Sequence, residues 1–251
     1  MPNEGKKPMN ETIRLLNERK SVRVYEPGPL SPEVKDAILN AAIQAPTAGN
    51  MTLYTILDIT DQALKDRLSV TCDHQPFIAT APLVLIFCAD YHRWFTLFEQ
   101  DEPATRRPGE GDLLLAVSDA LIAAQNAVTA AEALGVGSCY IGDILENFEI
   151  HKELLKLPAY VLPAAMVVFG VPTEGQKARP KPPRFKVEDV VCENAYAERD
   201  FAAMLRERQG RSPEEFEKWI SGFRSFKWDC EFSKEMTRSV QAMLKAWQEG
   251  N

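Results

Sequence analysis

Strand-like and helix-like segments are interspersed along most of this sequence, and residues 197–251 are charged and helical with little β signal. The predicted class is therefore α/β or α+β with a helical C-terminal appendage. Two further observations support it. PLVLIFCAD (82–90) and LPAAMVVFGVP (162–172) are nearly all-apolar runs, as expected of strands buried on both faces. DLLLAVSDALIAAQNAVTAAEAL (112–134) is the longest helical stretch, rich in alanine and apolar on most sides, which places it in the centre of the molecule.

The elements follow in order. MNETIRLLNERK (9–20) repeats Ile13, Leu15 and Leu16 at helical spacing, and SVRVYE alternates like a short strand that PGP ends. Ser31 reads as an N-cap with Pro32 at the first helical position, launching the helix PEVKDAILNAAIQA. APTAGN is a loop of small residues, LYTILDIT is β-rich, and DQALKDRLSV is helical. After the strand at 82–90, RWFTLFEQDEPATRRPGEGD reads as a long loop or short helix. Gly135 ends the central helix as a C′ glycine. GVGSCYIGD reads as a turn, followed by a helix through EIHKELLKL and the second apolar strand. A proline- and lysine-rich tract, 172–186, precedes the charged tail.

Composition narrows the function. A hydrophobic fraction of 45% in 251 residues suffices for a substantial core, and a net charge of -7 argues against nucleic acid as a partner. No unbroken apolar run approaches the roughly 20 residues of a membrane span, and the polar start lacks the apolar core of a signal peptide. Five scattered cysteines without a CxxC pair suit free thiols in a reducing compartment, so a cytoplasmic location is expected. GxSxG, HExxH, the P-loop and GxGxxG are all missing. His74, His92 and His151 lie far apart with no second ligand at metal spacing, so no metal is expected. A catalyst without a protein nucleophile or metal would need a borrowed cofactor.

Two basic islands interrupt this acidic chain. Arg19, Ser21 and Arg23 alternate, so in an extended segment they share one face while Lys20 points the other way. Arginine forks with a hydroxyl suit a phosphate, although basic residues at a helix C-terminus also complement its dipole. Lys177, Arg179, Lys181 and Arg184 form the second island, and the two loops can converge on one anion or stay apart as solvated linkers. Between them lie APTAGNM and CYIGD, whose small residues would let a flat ring approach the backbone, with the Asn50 amide able to pair with a pyrimidine-like edge.

In their order, RKSVRVY (19–25), APTAGNMTLYTI (45–56), HQPFIATAPLVLIFCAD (74–90), DALIAAQNAVTAAEALGVGSCYIGDI (119–144), LLKLP (154–158), VVFGVP (167–172) and PRFKVEDVVCENAY (183–196) resemble the nitroreductase family of FMN-dependent oxidoreductases. The resemblance implies an α+β fold with a central mixed, mostly antiparallel sheet flanked by helices. It implies an FMN-binding domain over 1–196, and a helical extension over 197–251 that embraces the partner of a homodimer. It also implies hydride transfer from NADPH or NADH, through FMN, to nitroaromatics, quinones or flavins by a ping-pong mechanism, with no catalytic side chain. Arg19, Lys20, Ser21 and Arg23 match the N-terminal flavin motif, with Arg19 and Ser21 at the phosphate and ribityl end and Arg23 as the cation at the pyrimidine edge. Asn50 and Gln75 match side chains on the ring. Tyr140, Ile141 and Gly142 match the turn beside it, and Lys181 and Arg184 complete the phosphate site. Arg206, Arg208 and Arg211 lie where relatives contact an NADPH 2′-phosphate.

Three departures from the family pattern stand out. Thr52 and Leu53 replace Gln-Pro, Asp143 replaces a second glycine, and Pro182 replaces a lysine. They leave FMN binding in place and bear on substrate range. Specialised chemistry under a lid at 91–111, such as reductive dehalogenation or flavin fragmentation, and flavin binding without turnover are the alternative readings.

Overall fold

The structure is a computed structural model that describes residues 10–250; the polar start before Asn10 lies outside the described residues. Described residues up to Lys181, together with those from Glu235 onward, form one compact unit, and Pro182–Lys234 forms another.

The first unit opens with α1 (Glu11–Glu18) and α2 (Pro32–Ile43). Ser31 Oγ accepts from the Val34 N–H at 3.3 Å, and Pro32 fills the first turn, as the sequence predicts. Next come β1 (Tyr54–Asp58), α3 (Gln62–Thr71), α4 (Pro76–Ala79), β2 (Leu83–Asp90) and α5 (His92–Asp101). The long helix α6 (Glu110–Ala133) leads to β3 (Gly137–Ile141), α7 (Phe148–Leu155), β4 (Val161–Gly170) and α8 (Glu174–Ala178). The strands form one sheet in the order β1-β2-β4-β3, antiparallel throughout, and the fold is α+β.

Period-two alternation divides the core between the sheet faces. Leu83, Leu85, Phe87, Val167 and Phe169 meet α2 and α6 on one side. Val84, Ile86, Cys88, Met166 and Val168 meet α3 and α4 on the other. Alanines dominate the packed stripe of α6, with Ala116, Ala120, Ala123, Ala124, Ala127 and Ala131 fully buried, so the helix lies close against the sheet. Its far side stays open: Leu114 is 67% exposed, and Leu115, Leu121 and Ile122 are exposed too. The expectation that α6 is enclosed on most sides therefore holds for one stripe only. By length and composition α6 is also apolar enough to cross a membrane. A search for unbroken apolar runs misses this, because Asp119 and Glu132 interrupt a stretch whose average is apolar.

Two further differences have physical causes. SVRVYE forms only isolated bridges, Ser21 to Ser138 in parallel and Tyr25 to Pro172 antiparallel. CYIGD is not wholly a turn, since Gly137–Ile141 pairs with β4 as an edge strand before the chain bends at Gly142. The glycine and serine that open this strand dilute its β signal, and they are small because another segment lies on them. A Cβ on Gly137 would fall 2.8 Å from Val22 Cβ, and one on Gly170 2.5 Å from Tyr25 Cδ1.

The other unit contains α9 (Val187–Val190), α10 (Phe201–Gln209) and α11 (Pro213–Lys227). The final helix α12 (Glu231–Glu249) begins there and ends in the first unit. Its Met243 and Trp247 are buried with Phe95, Leu113, Phe148 and Tyr160, and Trp247 Nε1 donates to Gly109 O at 3.0 Å. The 91–111 segment is likewise anchored, with Trp94 Nε1 donating to Met51 O at 2.7 Å and Arg93 to Tyr54 O at 2.7 Å.

Candidate functional site

Residues 19–23 leave the end of α1 in extended form and run beside β3. Arg19 caps the helix through its N–H to Leu15 O at 2.9 Å, and Val22 N–H donates to Ser138 O at 2.9 Å. Alternation then sorts the side chains. Lys20 and Val22 line a cavity of about 310 Å³ with Glu132, Gly137 and Lys177. Arg19, Ser21 and Arg23 all act on the Cys139 thiol: burial pushes it up, and these three pull it back down. The face-sharing expected from the sequence is present.

The second basic island comes to meet the first. Lys20 Nζ donates to Lys177 O at 2.6 Å and also to Arg179 O. Arg179 Nη2 donates to Ser21 O at 2.9 Å, Lys181 Nζ donates to Asn17 O, and Gln176 Oε1 accepts from the Arg23 N–H at 3.2 Å. Two like-charged loops are thus held together by cations bonded to carbonyl oxygens. Arg19 Nε and Ser138 Oγ remain buried without partners. A buried donor without an acceptor costs about 1–3 kcal/mol, so both groups would gain from an added acceptor.

At the end of β3, Tyr140 is half-buried, Ile141 buried and Gly142 exposed. Burial pushes the Tyr140 hydroxyl up to about 12 against the pull of Arg19. Arg23 is 5.8 Å from the centroid of Phe77, two residues beyond Gln75. The Gln75 amide folds its own loop by donating to Cys72 O at 2.9 Å, after Asp73 and His74 adopt left-handed conformations. Arg19, Lys20, Ser21, Arg23, Tyr140, Ile141, Gly142, Lys181 and the Gln75 segment therefore come together in one region of the first unit.

Two predicted residues, Asn50 and Arg184, have surroundings of their own. Asn50 sits in a tight turn with Gly49, Asn50 and Thr52 all left-handed, and no hydrogen bond among the described residues joins its side chain to the basic cluster. The anchor of its loop is Asp119, a buried α6 carboxylate that takes N–H bonds from Ala48 at 3.1 Å and Leu53 at 3.2 Å and the hydroxyl of Thr47. Arg184 belongs to the other unit, where it lines a cavity of about 340 Å³ with Lys186, Met204 and Arg208. Arg208 lies 4.3 Å from the Phe185 ring centroid and Arg211 lies 5.4 Å from that of Trp219.

Sequence reasoning missed Asp119, Glu132 and Gln176. An acidic residue inside an apolar helix is the available signal for the first two, since such a group must find donors or cations. Below the turn at Gly142, Glu146 is buried among carboxylates. Burial, then Asp143, Asp73 and Glu235, push it up to about 7. His151 is a core residue bonded to Ile144 O at 3.0 Å and Thr71 Oγ1 at 2.9 Å, and burial holds it below the ordinary histidine range. Among the described residues no group of three acidic, histidine or cysteine side chains is placed to hold a metal ion.

Residues 16–171 match the family model described as the nitroreductase family. The chain is 35% identical over 198 residues to an oxygen-insensitive NADPH nitroreductase of Salmonella typhimurium, covering 79% of this chain and 80% of that one. It is 34% identical over 194 residues to an FMN reductase [NAD(P)H] of Bacillus subtilis, covering 76% and 77%. The solved structure of B. megaterium NfrA2 superposes with a TM-score of 0.81 at 31% identity, covering 95% of this chain and 98% of that one.

Proposed function

The chain belongs to the nitroreductase family of oxidoreductases, and on that premise we propose that it binds FMN and passes hydride from NADPH or NADH to electron-poor small molecules. The observation that carries this reading is the tying of residues 19–23 to 177–181 beside the end of β3. The site fits the cofactor: a phosphate monoester with a ribityl chain offers the acceptors that Arg19 Nε and Ser138 Oγ lack.

Arg19, Ser21 and Lys181 hold the phosphate and ribityl end. Lys20 acts from the opposite face of the segment, holding the two loops in register. Arg23, beside Phe77 and the Gln75 segment, faces the pyrimidine edge of the ring, where its charge favours the reduced, anionic form. Exposed Gly142 lets the flat ring approach the backbone N–H groups of the turn. When bound, the flavin supplies the hydride-accepting atom. The protein then positions donor and acceptor in turn at one site and needs no general base. The names of the relatives, a nitroreductase and an FMN reductase, support nitroaromatics, quinones or flavins as acceptors.

A homodimer completes the picture. The exposed apolar row of α6, Leu114, Leu115, Leu121 and Ile122, is surface of the kind a partner covers, and Ile13 and Leu16 of α1 are exposed too. Phe223, Phe226 and Trp228 of the other unit are exposed too and suit the partner-embracing role of the C-terminal extension. Five free cysteines fit a reducing, cytoplasmic setting.

The purified protein should be yellow, and NADPH or NADH should bleach it under anaerobic conditions, with colour returning on addition of a nitroaromatic, quinone or flavin. A colourless protein that refuses FMN rejects the cofactor, and a yellow one that neither nucleotide bleaches rejects the reductase reading. Arg23→Ala should lower FMN affinity or the rate of reduction about tenfold or more; unchanged values in a stopped-flow assay remove that role.

A further inference from the structure

The last turn of α6 places a carboxylate where three forces oppose its charge. Glu132 lies next to the final residue of the helix, at the negative end of the macrodipole. Its Oε1 is buried without a hydrogen-bond partner. Burial pushes the carboxyl up, and only Arg19, Lys181 and Lys20, in that order, pull it down. Of these cations, the flavin reading assigns Arg19 and Lys181 to the phosphate end of the site, and Lys20 ties the two loops together.

The geometry around Glu132 is specific. It borders a small gap with Arg19, Leu15, Leu16 and Thr129, and Arg19 Nε is, like Glu132 Oε1, buried without a hydrogen-bond partner. On its other side it walls the cavity of about 310 Å³ that Lys20 and Lys177 also line. Arg19 and Glu132 thus border one gap, yet neither Arg19 Nε nor Glu132 Oε1 has a hydrogen-bond partner. An ion pair serving stability alone would close that distance, because a buried charge is repaid only by good hydrogen-bond geometry. Arg19 is left attracted to Glu132 and free to bond an anion.

We propose that Glu132 is the internal counter-ion of the phosphate-binding cluster, neutralising Arg19, Lys20 and Lys181 when no anion is bound and opposing the anion when one arrives. The consequence is a weaker grip on the phosphate of the cofactor, which allows flavin to be exchanged. This inference rests on the flavin reading. It assigns Glu132 a positioning and affinity-setting role without contact to the reacting atoms.

The test compares FMN with riboflavin, which lacks the phosphate, by fluorescence titration of the apoprotein. Glu132→Gln removes the charge at nearly constant shape, so FMN affinity should rise roughly tenfold, as loss of one like charge several ångströms from an anion predicts. Riboflavin affinity should stay within about twofold. Inorganic phosphate should compete with FMN more strongly in the variant than in the wild type. Glu132→Asp, which keeps the charge, should retain the wild-type FMN-to-riboflavin ratio, and Glu132→Ala should raise it as the glutamine does. A ratio that is unchanged or lowered in Glu132→Gln, with wild-type FMN binding intact, overturns the counter-ion role and leaves the flavin reading standing. Wild-type protein that binds neither flavin overturns both.

Discussion

Glu146 shows how much one side chain can reveal about pH. It is buried, its Oε1 has no partner, and burial with Asp143, Asp73 and Glu235 lifts its carboxyl to about 7. An unfolded glutamate titrates near 4.3, so ionising Glu146 in the folded chain costs free energy that the unfolded chain does not pay. Its contribution is favourable in acid and is lost as pH rises through 7. Glu146→Gln should therefore raise stability at pH 8 by about 1–3 kcal/mol and change it little at pH 4, measured by urea unfolding at both values. Equal effects at the two values would mean that the carboxyl titrates normally. At this scale the sequence was legible where alternation decides: Arg19, Ser21 and Arg23 on one face and Lys20 on the other need only an extended backbone. Glu132 and Glu146 were not legible, because their neighbours are remote in sequence and a lone glutamate reads as solvated surface.

The edge strand β3 and the segment laid on it are the elements that build the site. Gly137 is required there because Val22 lies on it, and the same closeness holds the 19–23 backbone to Ser138. Gly137→Ala should cost about 1–3 kcal/mol through overpacking against Val22, and should lower FMN affinity in parallel by pushing Ser21 and Arg23 outward. Gly111→Ala, at a position with open space around its Cβ, is the control and should be neutral or mildly stabilising in the helix. Thermal melts and flavin titrations of both variants check this, and equal costs would detach the site from that contact. The buried strands, the Ser31 cap and the long helix were readable because each carries a local signal in periodicity or capping. β3 was hidden for the opposite reason, since its opening Gly-Ser is chosen for what lies over it.

Across the whole molecule, the apolar row on α6 calls for a cover. Light scattering should report a dimer, and Leu121→Glu should shift it toward monomer and reduce bound FMN, because an apolar row covered by a partner would lose its cover. A monomer that retains full flavin content would contradict both expectations. The convergence of two basic loops 154 residues or more apart was a choice left open by the sequence, since chain order cannot say which loops meet; Lys20 and Lys177 settle it. Arg184, three residues after Lys181, belongs to the other compact unit.

The return of α12 to the first unit has a consequence for the chain as a covalent object. Pro182–Lys234 leaves from Lys181, which is bonded to Asn17, and re-enters at Glu235, which receives the Asn147 N–H at 3.1 Å. Beyond that point Arg238 grips Glu149 through two nitrogens, and Trp247 closes the seam. A protease nick anywhere in the excursion would therefore yield two fragments that stay joined by their own packing, travelling as one particle until denaturant parts them.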